Sequence, residues 1–253
     1  MSPTGRLILF GISAAILLPM MLAALLGLPE FGEPRYSYGQ AIGEVALGER
    51  HVTNVVSAVV FDYRGLDTLG EAFIMFAAVA GILLLLRGGR GRTGLEPAIE
   101  TRGWSASRRS DATTAFGHWL LGILALVGLY VVAHGHLTPG GGFQAGVIIA
   151  GAFLLIYLTD GYPSWHRWTP NAVFDAAEAI SAGAFVLLGL APWLAGAGFL
   201  ANVLPLGRAG ELLSGGTIPL LNLIVGIEVA AAFVLLFVEF LQETRRLLPG
   251  EDE

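Results

Sequence analysis

Four glutamates of this 253-residue chain lie in long apolar runs, where a charged side chain is costly, although Glu239, near the end of the last run, can reach the interface. Glu228 lies near the middle of the last run, and Glu71 and Glu178 lie near the starts of two others. An unpaired carboxylate at such a position must be protonated, paired or hydrated. These residues predict a route for protons or cations. The alternative for Glu228 is a structural hydrogen bond between helices, with Asn222 as a neighbouring polar group.

Charged residues also cluster where the second apolar run begins, in residues 59–71. The members of this cluster are Asp62, Arg64, Asp67 and Glu71. Asp67 and Thr68 can cap a helix, with Glu71 in its first turns near the positive end of the helix dipole. The pattern therefore fits either a helix cap with a surface ion pair, or a Glu71 that faces the helix bundle and relays protons or cations.

A third candidate is the segment 134–146, which separates two apolar runs. It reads His-Gly-His-Leu-Thr-Pro-Gly-Gly-Gly-Phe-Gln-Ala-Gly. The residues that break the helix are Thr138, Pro139, Gly140, Gly141 and Gly142, and a second helix is expected to start near Phe143. His134 and His136 are expected at the membrane interface, where a proton-accepting role for His136 is the alternative.

The helix that follows this break carries small residues at every fourth position, Gly142, Gly146 and Ala150, as close helix packing requires. Gln144 lies in its first turn, next to unpaired backbone N–H groups. The segment therefore predicts either a tight turn with a packing face, or a short re-entrant break that lines an ion cavity. In the second case Thr138 and Gln144 would be polar ligands.

Composition places these residues in a membrane protein. The chain is 55% hydrophobic and 13% charged, with a mean hydropathy of +0.69, whereas soluble domains average about 25% charged residues. It contains no cysteine, which excludes disulfides and iron–sulfur clusters, and no phosphate-binding loop motif. We predict no metal, no cofactor and no nucleic-acid partner, and we expect the lipid bilayer to surround the chain.

The elements that must position these residues form an all-α bundle of about six membrane-spanning helices, since a span needs about 20 apolar residues. The predicted spans are 7–28, 69–86, 115–133, 143–158, 176–197 and 218–241. Most arginines then fall on one side, which predicts that both termini are cytoplasmic. No small-residue cleavage site follows the first run, so we expect a retained helix rather than a signal peptide.

Two further segments are polar. Residues 41–60 have apolar positions spaced as in an amphipathic helix, which would lie on the bilayer or on a partner. Residues 87–112 are rich in arginine and glycine and form a linker that divides the chain.

Segment 134–146 resembles the signature of the B subunit (MnhB/MrpB) of Mrp-type multisubunit sodium/proton antiporters. The Phe-Asp-Tyr-Arg-Gly-Leu-Asp-Thr-Leu-Gly-Glu sequence within 59–71 resembles the C-terminal part of the A-type protein of these antiporters, which is a separate small subunit in membrane-bound hydrogenases. The resemblance implies a fusion of a two-span A-like unit with a four-span B-like unit. Its parts would be 1–90, a cytoplasmic linker at 91–112, the B-like unit at 113–246 and an acidic tail at 247–253.

The resemblance also implies a multi-pass subunit of the cytoplasmic membrane, within a large complex that exchanges H⁺ for Na⁺ or another monovalent cation. The family's carboxylate falls on Glu71, and its Thr-Pro-Gly-Gly-Gly-Phe sequence falls on 138–143. The last span, with Leu-Asn-Leu-Ile-Val-Gly-Ile-Glu-Val, is more similar to hydrogenase-associated versions. Two functions therefore stay open: a non-enzymatic subunit that lines or supports an ion path, or an ion-pumping module of a redox-driven complex. A free-standing transporter is disfavoured, because six spans with few buried charges are too little for an exchanger that works alone.

Overall fold

The computed structural model describes residues 3–28, 38–88 and 110–247. Within these ranges every regular element is helical, which confirms the all-α fold. The elements are α1 (Pro3–Leu26), α2 (Tyr38–Arg50), α3 (Val55–Ala58), a π-helical turn (Val59–Tyr63), α4 (Gly65–Gly88), α5 (Asp111–Ala133), α6 (Gly142–Asp160), α7 (Tyr162–Trp168), α8 (Asn171–Leu194) and α9 (Ile218–Leu247). Most of the predicted linker and nearly all of the acidic tail lie outside the described residues.

The chain divides into two compact units, Met1–Ile42 and Gly43–Glu253. The second unit contains α4 to α9 and every candidate site residue. The predicted boundary at 91–112 separates two parts that resemble different subunits, which is not the same as a boundary between compact units. It stays a prediction.

Among the described residues, five helices are long and apolar enough to cross a bilayer, so the protein is a multi-pass membrane protein. These candidate spans are Gly65–Arg87, Asp111–Ala133, Gly142–Asp160, Asn171–Leu194 and Ile218–Thr244. They correspond to the second to sixth predicted spans. Helix α1 carries a shorter apolar stretch, Phe10–Leu26, so the first predicted span stays a prediction.

The start of α8 differs from the predicted start of the fifth span at residue 176. A short helix, α7, follows α6 after a turn at Gly161 (φ 83°), and α8 then begins at Asn171. The buried Trp165 of α7 packs in one apolar cluster with Val234 and Val238 of α9, which anchors α7 to the bundle. Asp175 and Glu178 therefore lie inside α8.

The single amphipathic helix predicted for 41–60 is wrong. Helix α2 ends at Arg50, and His51 has a left-handed conformation with φ 54°. Asn54 then caps the short α3, since its side chain accepts a hydrogen bond from the backbone N–H of Val56. The backbone geometry at His51 interrupts a helix that the apolar spacing alone would continue.

The predicted cap at Asp67 and Thr68 is also wrong. Helix α4 begins at Gly65, so both residues lie within its first turn. The Thr68 hydroxyl donates to the Val60 carbonyl of the preceding π-helical turn. This bond links α4 to the turn that precedes it.

Helix α9 lies at the centre of the second unit, where α4, α5, α6 and α8 all pack on it. Helix α6 approaches it closely because two of its glycines face α9. A Cβ atom added at Gly146 would lie 2.6 Å from the Val229 Cβ and 2.8 Å from the Gly226 carbonyl oxygen, and one at Gly142 would meet the Asn222 carbonyl oxygen. The predicted packing face of α6 is confirmed.

We expect Gly146→Ala to lower the free energy of unfolding by about 1–3 kcal/mol, because the added methyl group overpacks the contact between α6 and α9. Gly151→Ala is the matched control in the same helix, because a Cβ atom there has no neighbour within 4 Å. Thermal unfolding in detergent measures both variants. Equal midpoints would contradict the close contact.

The spans alternate in direction, which brings polar residues together at two ends of the bundle. At the motif end, the turn 134–141 lies beside the start of α9, as the bond from the Gly142 N–H to Asn222 shows. At the arginine end, Arg87 of α4 bonds to Asp175 of α8 and Glu239 of α9. The sequence predicts this alternation; which end faces the cytoplasm stays a prediction.

Candidate functional site

Residues 134–141 form a tight turn between α5 and α6. Gly140 has φ 138°, a conformation that side chains with a Cβ atom rarely adopt. The Thr138 hydroxyl donates to the His134 carbonyl at 3.3 Å, and the Gln144 side chain is exposed. Both flanking helices are full-length candidate spans. The structure therefore contains the predicted tight turn and packing face, whereas a role of the turn in lining an ion cavity stays a prediction.

Asn222 fastens this turn to the helices around it. Its buried side chain accepts a bond from the Gly142 N–H at 2.9 Å and donates to the Ser57 hydroxyl at 3.0 Å. Ser57 and Asn54 in turn donate to the Gly135 carbonyl, at 2.9 and 2.7 Å. Asn222 therefore bonds to the turn and to α3, rather than to Glu228 as the structural alternative for that glutamate suggested.

The two histidines of the turn lie in different environments. His134 is half-buried and its ring stacks on Tyr130, with centroids 4.2 Å apart. His136 is fully buried, and burial lowers the pKa of its ring, which favours the neutral form near pH 7. His136 is thus covered by protein, and its expected position at the membrane interface stays a prediction. Within the described residues, no group of three or more His, Asp or Glu side chains could hold a metal ion.

The charged cluster predicted in 59–71 separates into independent groups. Asp62 forms an ion pair with the Arg50 Nε at 2.9 Å and accepts a hydrogen bond from the Asn202 side chain at 3.0 Å. The neighbouring Tyr63 hydroxyl donates to Glu49 at 2.7 Å, and burial with this bond raises the pKa of Tyr63 to about 12. Asp62 thus joins the end of α2 to the loop before α9.

Glu71 lies apart from this group. Arg64 pairs with Asp67 on the surface, as the ion-pair alternative predicts. The Glu71 side chain, one turn further along α4, is exposed. The expectation that Glu71 faces the interior of this chain's own bundle is therefore wrong.

Glu228 occupies the interior of the bundle. Its side chain is 0% exposed, and neither carboxylate oxygen has a hydrogen-bond partner among the described residues. Ala232, one turn later in α9, packs in one cluster with Val79 and Leu83 of α4. Glu228 therefore lies on the side of α9 that α4 covers.

Glu178 of α8 is the second buried carboxylate. It is 4% exposed, and its Oε1 atom has no hydrogen-bond partner within the described ranges. Glu178 lies one helical turn after Asp175 in α8, and its charge interacts with those of Glu228, Asp175 and Arg87. Two incompletely bonded carboxylates from adjacent helices thus share one apolar interior.

The arginine end closes this interior. Arg87 donates through Nε to the buried Glu239 at 2.7 Å, and through its two terminal nitrogens to Asp175 at 3.2 and 3.3 Å. Arg87 is not among the candidate site residues that the sequence predicts. The available signal was its position directly after the apolar run 69–86, where an arginine can reach back toward buried carboxylates.

Four carboxylates follow one another from the arginine end toward the motif end, namely Glu239, Asp175, Glu178 and Glu228. We call them the carboxylate column. With a rise of about 1.5 Å per residue, Glu178 lies about 4 Å beyond Asp175, and Glu228 lies about 16 Å from Glu239. His118 pairs with Asp160 at 2.8 Å between α5 and α6, outside the column.

Incompletely bonded carboxylates that are buried on adjacent membrane spans are typical of membrane proteins that transport ions. Residues 113–235 match the family model for a domain related to the MnhB subunit of Na⁺/H⁺ antiporters. The chain belongs to this MnhB family. The predicted family is thereby confirmed, while the fusion with an A-like part stays a prediction.

Two relatives match most of their own length. An uncharacterised protein of Methanocaldococcus jannaschii is 32% identical over 206 residues, which cover 75% of this chain and 78% of the relative. A chain in the structure of the membrane-bound sulfane sulfur reductase, an archaeal respiratory membrane complex, is 31% identical with a TM-score of 0.68. That match covers 92% of this chain and 97% of the other.

Two longer proteins contain a matching part. A probable A/B-type component of a K⁺/H⁺ antiporter from Rhizobium meliloti is 28% identical over 177 residues, which cover 63% of this chain and 17% of the relative. A chain of the Mrp complex from Dietzia sp. is 22% identical with a TM-score of 0.67, and the match covers 94% of this chain and 26% of that one. At 22% identity, the similarity to the Dietzia chain shows the fold alone.

Proposed function

We propose that this chain is a membrane subunit of a multisubunit monovalent cation/proton antiporter, and that its carboxylate column helps to line the ion path. The observation that carries the proposal is the pair Glu228 and Glu178, which are buried and incompletely hydrogen-bonded on adjacent spans. A carboxylate that has no protein partner is available to bind and release a proton or a cation. The ions we propose are H⁺ and Na⁺.

The partners we propose are the other subunits of an Mrp-like complex. Glu71 supports this, because its exposed carboxylate near the start of a candidate span would be costly against lipid. A neighbouring subunit that covers α4 would shield Glu71 and continue the path beyond this chain. Asp67 and Gln144 are also exposed and are candidates for the same kind of contact.

The motif end supplies the remaining path candidate, His136. Its buried neutral ring can accept a proton. The turn formed by Thr138 to Gly142 provides a fixed backbone around the ring. In the topology we propose, this end faces outward and the arginine end faces the cytoplasm, together with both termini.

A second candidate function is an ion-pumping module of a redox-driven complex. The observation that favours it is the 31% identity to a chain of the sulfane sulfur reductase, over nearly the whole of that chain. In that case the same column would conduct ions, and an oxidoreductase elsewhere in the complex would supply the energy.

Deletion and complementation test the proposed function. In inside-out membrane vesicles with a preformed pH gradient, addition of Na⁺ or K⁺ should dissipate the gradient only when the intact gene is present. If the pH gradient changes only when an electron donor is also added, the redox-driven complex is favoured. Equal responses with and without the gene would contradict both functions.

A further inference from the structure

Three helices converge at the arginine end. Asp175 of α8 and Glu239 of α9 both bond to Arg87, which comes from α4. Glu239 is 0% exposed and the Arg87 side chain is 34% exposed, so the guanidinium lies between the buried column and its surroundings. A protein cation therefore occupies the position between the two carboxylates at this end.

The Arg87 side chain is suited to exclude other cations from this position. Its guanidinium stays charged at every physiological pH, and its planar array of donors fits carboxylates in a fixed geometry. A metal ion that reached Asp175 or Glu239 would have to displace the guanidinium or sit beside it. Two positive charges at such close range repel strongly where the surroundings screen weakly.

Protons are not subject to the same restriction. Glu178 lies next along the column and its Oε1 atom has no hydrogen-bond partner in the described part of the chain. A proton can neutralise this carboxylate without placing a second cation beside Arg87. Glu178 lies one helical turn after Asp175 in α8, and Asp175 bonds directly to Arg87.

We propose that Arg87 is the residue that makes the arginine end of the column selective for protons, by excluding metal cations from Asp175 and Glu239. This inference rests on the proposed function, because it assumes that ions use the column. It adds a specific role for a residue that joins three helices. It also predicts that charge at this position, rather than the mechanical link between the helices, decides what passes.

Two substitutions that break the same ion pair separate charge from mechanical linkage. Arg87→Gln removes a positive charge, and Asp175→Asn removes a negative one. In proteoliposomes that contain the purified whole complex, passive entry of radioactive Na⁺ without a pH gradient should rise about fivefold or more in Arg87→Gln. It should stay at the wild-type level in Asp175→Asn and in Arg87→Lys, which keeps the charge.

Arg167→Gln is the matched control. Arg167 is exposed in α7, which follows α6 at the end of the bundle opposite the motif end. Co-purification of all subunits measures assembly. Increased Na⁺ entry in Asp175→Asn or Arg87→Lys would overturn the proposal. An assembled Arg87→Gln complex that admits no more Na⁺ than the wild type would overturn it as well. If Arg87→Gln does not assemble, Arg87→Met, which also removes the charge, takes its place, and an assembled Arg87→Met complex that admits no more Na⁺ than the wild type overturns the proposal.

The same preparation distinguishes failure of this inference from failure of the proposed function. If the wild-type complex exchanges cations for protons and Arg87→Gln does not leak, only the role of Arg87 is wrong. If the wild-type complex shows no exchange, the proposed function itself is wrong.

Discussion

Glu228→Gln is expected to lower cation-dependent proton exchange by the assembled complex about tenfold or more, because an amide cannot take up and release a proton. The substitution preserves the shape of the side chain. The Glu228 oxygens make no hydrogen bond within the described residues, so no partner is left unsatisfied. Burial of a neutral amide is also less costly than burial of a charge. We therefore expect normal assembly together with lost exchange.

Three further variants complete this test. Glu44→Gln is the control, because Glu44 is exposed in α2, outside the candidate spans. Glu228→Asp keeps a titratable group and should retain part of the activity. If Glu178 acts in the same path, the double variant with Glu178→Gln should be no slower than Glu228→Gln alone. Full exchange in an assembled Glu228→Gln complex would remove the column from the ion path.

The largest effect on stability is expected at Asn222. Asn222→Ala should lower the free energy of unfolding by about 2–4 kcal/mol, because it leaves the buried Gly142 N–H without its acceptor and creates a cavity. It also releases Ser57, and with it the link from α3 to α9. Thermal unfolding of the purified chain or complex in detergent measures this loss.

The control for Asn222→Ala is its neighbour, Leu223→Ala. Leu223 is 45% exposed, so its truncation removes fewer packing contacts and no hydrogen bond. We expect a clearly smaller change in the unfolding midpoint. Equal destabilisation of the two variants would show that Asn222 does not hold the turn.

Much of the fold is local and could therefore be predicted. Helices α4, α5, α6, α8 and α9 follow from apolar runs of sufficient length, and the packing face of α6 follows from glycines one turn apart. The break within 41–60 could not be predicted, because it depends on the φ angle of His51 rather than on hydrophobicity. Helix α7 was missed because its short sequence has too few residues for a periodic pattern.

The site is less local than the fold. Sequence alone identified Glu228 and Glu178 as candidates, because any carboxylate in an apolar run is unusual. It could not assign the direction of Glu71, since that depends on which side of α4 the other helices cover. The ion pairs of Arg87 with Asp175 and Glu239 join residues 88 and 152 positions apart, which no local pattern encodes.

The bond between Ser57 and Asn222 joins residues 165 positions apart, and this has a consequence for biosynthesis. Ser57 leaves the ribosome long before Asn222 exists, so the first half of the chain must enter the membrane with this contact unmade. The Gly142 N–H at the end of the turn 134–141 likewise has no Asn222 acceptor until the last helix has been made. A nascent or truncated chain without α9 therefore leaves the Gly142 N–H without its acceptor until the last helix has been made and packed.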